Sequence, residues 1–128
     1  MVVDSSAIIA VIFEEHDQFI YLDALRREKL AMSASTLFEC RLVALRKSGP
    51  VAEAELIEFV AGLNIEIVSF DAPQAALAAD AFRRYGKGRD KAALNFGDCF
   101  SYALAKSRGE PLLYKGGDFT RTDLAAAV

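Results

Sequence analysis

Read for periodicity, the chain alternates short β-branched runs with longer stretches of helical spacing. Met1-Val2-Val3 is a compact apolar run ending at Asp4, the pattern of a buried first strand. Ser5 and Ser6 follow as N-caps for a helix through Ala7 to Phe13. A second helix is expected from about Asp17 to Glu28, and a brief strand from Leu30 to Ser33. Thr36 to Lys47 reads as a helix stopped by the breaker Ser48-Gly49-Pro50. Val51 to Leu63 is the next helix, with Leu56, Val60 and Leu63 on one face, and Ile65 to Phe70 alternates like a strand. Pro73 opens a helix whose buried stripe is Ala78, Ala81, Phe82 and Tyr85. Beyond a loop from Gly86 to Ala93, Phe96, Phe100, Ala103 and Leu104 mark a further helix ending near Gly109. Pro111 to Tyr114 is the last clear strand, and Gly116-Gly117-Asp118 the turn after it. Strands alternating with helices predict an α/β fold: one domain over residues 1–128, with a central, mainly parallel sheet flanked by helices.

Composition narrows the classes of function. With 53% apolar and 26% charged residues in a chain of 128, neither disorder nor a disulfide scaffold is expected. The net charge of −3 gives no whole-molecule attraction to nucleic acid, so any such binding must come from a local basic patch. Cys40 and Cys99 lie in apolar, helical stretches and read as buried reduced thiols; with only His16 beside them they make no zinc site. The N-terminus lacks the basic region of a signal peptide, and the longest apolar run, Ala7 to Phe13, is too short to span a membrane. A cytoplasmic location is expected.

The chemistry lies in the placement of carboxylates. Sites in open parallel sheets form outside the carboxyl ends of the strands. Asp4 sits at such an end, Asp118 follows the last strand in a glycine-rich turn, and Glu39 and Asp98 fall in the first turns of two helices. Each alone has a local explanation. Asp4 can cap a helix, Glu39 has capping-box spacing from Thr36, Asp98 has it from Asn95, and Asp118 suits a turn. Together, four acids at one sheet edge repel one another unless a cation joins them, and an all-oxygen set suits Mg²⁺ or Mn²⁺. Hydrolysis of a nucleic-acid backbone is the reaction class such a site supports. Arg83, Arg84, Lys87, Arg89 and Lys91, offset by Asp90, concentrate positive charge just before Asp98. Beside an acidic pocket, Arg84, Lys87 and Arg89 become candidate contacts to an RNA backbone. Phe38, Phe59, Phe96 and Phe100 have helical spacing and read as core.

Four segments carry a family likeness: VVDSSAIIAVIF, SASTLFECRLVAL, YGKGRDKAALNFGDCFSYALAK and PLLYKGGDFTRTDL. In this order and spacing, over essentially the whole length, the chain resembles the VapC-type toxins, PIN-domain ribonucleases of type II toxin–antitoxin pairs. The resemblance implies a PIN-like fold and a Mg²⁺- or Mn²⁺-dependent endoribonuclease cutting structured RNA such as tRNA or ribosomal RNA. It assigns Asp4, Glu39 and Asp98 as the core catalytic and metal-binding acids, with Ser6 at a hydroxyl position near the metal. Family members carry a fourth acid near the last strand; here Asp118 is the close candidate and Asp123 a weaker one. The resemblance further implies a VapB-type antitoxin and a homodimer. Two rivals stay open: a phosphoryl-accepting receiver-like domain, opposed by the lack of paired acids after Val3, and a degraded PIN-like domain that only binds antitoxin or RNA.

Overall fold

The fold is that of a computed structural model describing residues 1–27 and 29–128. In chain order its elements are β1 (Val2–Val3), α1 (Ser5–Ile12), α2 (Gln18–Leu25), β2 (Ala31–Ser33), α3 (Ala34–Gly62), β3 (Glu66–Val68), α4 (Ala72–Tyr85), α5 (Phe96–Arg108) and β4 (Leu112–Leu113). Among the described residues the strands form one sheet in the order β3-β2-β1-β4, every pair parallel. This is the expected architecture. Val2 lies opposite both Ala31 and Leu112, and Met32 opposite Ile67. Because neighbouring strand residues point to opposite faces, Val3, Met32 and Leu113 enter a core with α1, α2 and α3, while Val2, Ala31 and Leu112 enter a second core with α4 and α5. Helices cover both faces, so β1 and β4 are apolar at every position and do not alternate.

Three expectations are corrected by the structure. Asp4, not Ser5 or Ser6, is the N-cap of α1, because the strand ends one residue before the first helical turn. Ser33, not Thr36, caps α3; β2 passes directly into the helix, so Thr36 lies inside its first turn. The two helices expected on either side of Ser48-Gly49-Pro50 are both present within α3 and meet at a kink at Gly49, whose φ of 79° a side chain resists and where Pro50 follows without an N–H. Phe38 and Phe96 are not core: they are 65% and 78% exposed. The second helix ends at Leu25, and Glu28, its expected last residue, lies outside the described residues. Among the described residues no helix is long and apolar enough to cross a membrane.

Candidate acidic site at the carboxyl edge of the sheet

β1 delivers Asp4 in extended backbone (φ −84°, ψ 157°) to the start of α1, where its side chain caps the helix. Its Oδ2 accepts from the Ser6 amide at 3.0 Å and from Ser6 Oγ at 2.6 Å, and its Oδ1 accepts from Ser101 Oγ at 2.5 Å. Only 3% exposed, Asp4 is held from both sides. Glu39 reaches the same place from α3. Burial raises the pKa of its carboxyl, a hydrogen bond with Ser5 opposes this, and the charge of Asp4 adds to it. Its Oε1 is buried without a hydrogen-bond partner, and its Oε2 lies 1.8 Å from where a Cβ on Gly97 would stand. Glycine at position 97 therefore makes the space the Glu39 carboxylate occupies.

Asp98 sits one residue further along α5. Its Oδ2 accepts from the Asn95 amide at 3.0 Å, and its own amide donates to Asn95 Oδ1 at 2.9 Å, completing the capping box that the Asn95 spacing suggested. Burial pushes its pKa up to about 8; the Asn95 N–H opposes the shift, while the charges of Asp4 and Asp118 and a hydrogen bond with Asp118 reinforce it. Asp118 reaches Asp98 from the exposed turn after β4. All four acids therefore meet at one edge of the sheet. Asp123 does not. It accepts from Tyr102 Oη and Lys106 Nζ, both at 2.6 Å, and ties the C-terminal segment to a later part of α5.

The donor set fits a hard dication: every oxygen is carboxylate or hydroxyl, one carboxylate oxygen is buried and unpartnered, and burial favours a proton or cation on Glu39 and Asp98. Among the described residues no three acids, cysteines or histidines already form a finished ligand set. Asp4 and Asp98 are instead engaged by Ser6, Ser101 and Asn95. The thiols take no part. Cys40 and Cys99 are free and buried, and burial pushes Cys99 up to about 11 and Cys40 further.

Sequence reasoning missed several participants. Ser101 and Thr36, both fully buried, reach the site only through tertiary packing. Gly97 did carry a signal, since glycine in a first helical turn is less stable than alanine by about 0.5–1 kcal/mol and marks a close approach. In the basic region, Arg84 stacks on Tyr85 at 4.8 Å and stands 3.8 Å from both Asp80 and Asp123. Arg89 and Lys91 instead line an open basin of about 640 Å³ together with Arg121, which follows Asp118 by three residues.

This geometry meets its relatives here. The PIN domain family model matches residues 1–124. Ribonuclease VapC of Mycolicibacterium smegmatis is 42% identical over 127 residues, covering 98% of each chain. Among solved structures, Mycobacterium tuberculosis VapC20, described as a sarcin–ricin loop cleaving toxin, superposes with a TM-score of 0.80 at 17% identity over 97% of this chain and 95% of that one. VapBC-5 of the same organism, from the VapBC family of toxin–antitoxin systems, gives 0.67 at 24% identity over 98% and 91%. The parallel α/β fold and the family match together make this a PIN domain. The chain belongs to the PIN-domain family, in its VapC ribonuclease branch.

Proposed function

We propose that this chain is a Mg²⁺- or Mn²⁺-dependent endoribonuclease, the toxin of a type II toxin–antitoxin pair, hydrolysing phosphodiester bonds in structured RNA such as tRNA or ribosomal RNA. The observation that carries this is the meeting of Asp4, Glu39, Asp98 and Asp118, with Glu39 Oε1 left buried and unpartnered against Gly97. The relatives' ribonuclease and VapBC names support the activity and a VapB-type antitoxin as partner. Asp4, Glu39 and Asp98 would hold the cation, with Asp118 at the rim. When bound, a divalent cation supplies polarisation of the phosphodiester and a more acidic water. Asp4, fixed by its serine donors, orients the pocket. Asp98 uses Oδ2 for the helix cap and shares a hydrogen bond with Asp118, and one of the four acids takes the proton of the attacking water as the bond from phosphorus to the 3′ oxygen breaks. Cleavage of a total tRNA and ribosomal RNA pool into discrete fragments is expected in Mn²⁺, to stop in EDTA and to resume when Mn²⁺ is restored. RNA left whole in every arm would favour the alternative of a PIN-like domain that only binds antitoxin or RNA.

The RNA backbone is held by Lys87, Arg89 and Lys91, with Arg121 in place of Arg84. Arg84 is already engaged by Tyr85, Asp80 and Asp123, whereas the basin presents Arg89, Lys91 and Arg121 to solvent. Arg121→Ala is expected to weaken RNA binding and to lower the slope of log affinity against log salt by about 0.7–1, as loss of one phosphate contact does. Arg84→Ala should leave that slope unchanged. Equal effects of the two substitutions would refute the assignment.

A homodimer accounts for the two exposed phenylalanines. Phe96 packs edge-on against Phe100 at 4.8 Å, Phe100 does the same with Phe70, and the three line an apolar groove of about 660 Å³ between α4 and α5. Phe38 and Phe96 each immediately precede a site segment, Glu39 and Gly97-Asp98. Phe96→Glu is expected to turn a dimer into a monomer in sedimentation equilibrium, because burying a charge in an apolar contact is costly. A wild-type chain that sediments as a monomer at tens of micromolar would rule the dimer out.

A further inference from the structure

The segments that carry the four acids are joined by one chain of hydrogen bonds centred on Asp4. Ser101 Oγ donates to Asp4 Oδ1 at 2.5 Å, and Thr36 Oγ1 stands 3.3 Å behind Ser101 Oγ. On the other side Ser6 Oγ donates to Asp4 Oδ2 at 2.6 Å and accepts from the Lys115 amide at 2.9 Å. Since the Ser101 proton goes to Asp4, the Thr36 hydroxyl must be the donor to Ser101. Every proton in the chain then points toward Asp4.

The spacing is regular. Thr36 precedes Glu39 by three residues on α3, Ser101 follows Asp98 by three on α5, and Lys115 precedes Asp118 by three after β4. Residues three apart on a helix share a face, so each buried hydroxyl sits one turn from its acid. Ser101 and Thr36 are both fully buried, and neither faces solvent or the RNA basin. A buried hydroxyl without a partner costs roughly 1–3 kcal/mol, so the pair holds one register of α3 and α5 against β1 and disfavours others. An apolar pair of the same shape would pack as well but fix nothing about Asp4.

We infer that Ser101 and Thr36 are positioning residues that hold Asp4, and through it the acid cluster, in the arrangement that takes up a divalent cation. Neither touches substrate. The inference rests on the metal-dependent reading above. Ser101 acts on Asp4 directly, and Thr36 acts by orienting Ser101. Outer-shell partners of metal ligands are typically worth about 10–100-fold in metal affinity.

The test is calorimetric titration of Mn²⁺ alone into the full-length, EDTA-stripped protein, with circular dichroism melts beside it. Ser101→Ala is expected to weaken Mn²⁺ binding by about tenfold or more. Thr36→Val, which keeps the shape and removes the hydroxyl, should weaken it in the same direction, and Thr36→Ser should bind as wild type does. That pattern separates positioning from packing, because Thr36→Ser loses a methyl group and keeps the donor. If Ser101→Ala fails to fold, the Thr36 pair decides the matter. Wild-type affinity in Thr36→Val, or in a folded Ser101→Ala, would overturn the inference alone. No Mn²⁺ uptake by the wild-type chain would overturn the metal reading and this inference together.

Discussion

Gly97→Ala is expected to lower RNA cleavage by more than about 100-fold while leaving the chain at least as stable as wild type, because even outer-shell losses at metal sites reach about 10–100-fold and this one displaces a proposed ligand. A Cβ at position 97 would lie 1.8 Å from Glu39 Oε2 and 2.6 Å from Glu39 Cδ, far inside contact distance. The atoms in its way belong to the end of a flexible side chain, so the glutamate moves and the backbone stays. Moving it releases a buried, unpartnered oxygen, a gain for the fold. Alanine in a helix is also favoured over glycine by up to about 1 kcal/mol. The expected signature is a melting temperature equal to or above wild type with the activity of Glu39→Gln. Single-turnover cleavage in Mn²⁺, run beside melts of the two variants, measures both. Wild-type cleavage by Gly97→Ala would show that the Glu39 carboxylate does not need its place over α5.

The site's acids were legible and its supports were not, for a physical reason. Asp4 and Asp98 sit at a strand end and a helix start, Glu39 in the second turn of α3 and Asp118 in the turn after β4, and such neighbourhoods can be read from periodicity and breakers. Ser101 and Thr36 look like ordinary residues inside helices; their meeting depends on how α3 and α5 pack over β1. Thr36 was mistaken for a cap because Ser33, Ser35 and Thr36 all offer capping side chains, and only the end of β2 at Ser33 chooses among them. Phe38 and Phe96 have the spacing of core residues, and only the packing of α3 and α5 leaves them on the surface. Arg121 was passed over because proximity to the basic loop comes from the fold, not from the sequence. The parallel sheet, by contrast, followed directly from apolar runs alternating with helical stretches.

Asp98→Asn is expected to abolish cleavage yet to raise thermal stability in EDTA at pH 8, with the gain fading as the pH falls. In the fold, burial and the charges of Asp4 and Asp118 push the Asp98 pKa up to about 8 from an ordinary value of 3.8. Between those two values the folded chain holds a proton on Asp98 that the unfolded chain has lost. The fold therefore binds more protons there, and its stability declines as pH rises through the window. Above about pH 8 the penalty is fully present; below about pH 4 it is gone. Asparagine carries no charge at any pH, and its carbonyl oxygen still accepts from the Asn95 amide, so the capping box survives. The variant is therefore expected to melt several degrees above the wild type at pH 8 in EDTA. At pH 4.5 the two proteins should melt nearly together. Saturating Mn²⁺ should narrow the gap at pH 8, because a cation at about 100 times its Kd stabilises the wild type by about 2.7 kcal/mol and the variant by far less. Melts at both pH values, with and without Mn²⁺, test each sign separately. Should Asp98→Asn melt below wild type at pH 8 in EDTA, Asp98 would be a net stabiliser of the fold and its burial among acids would not be the cost that a cation relieves.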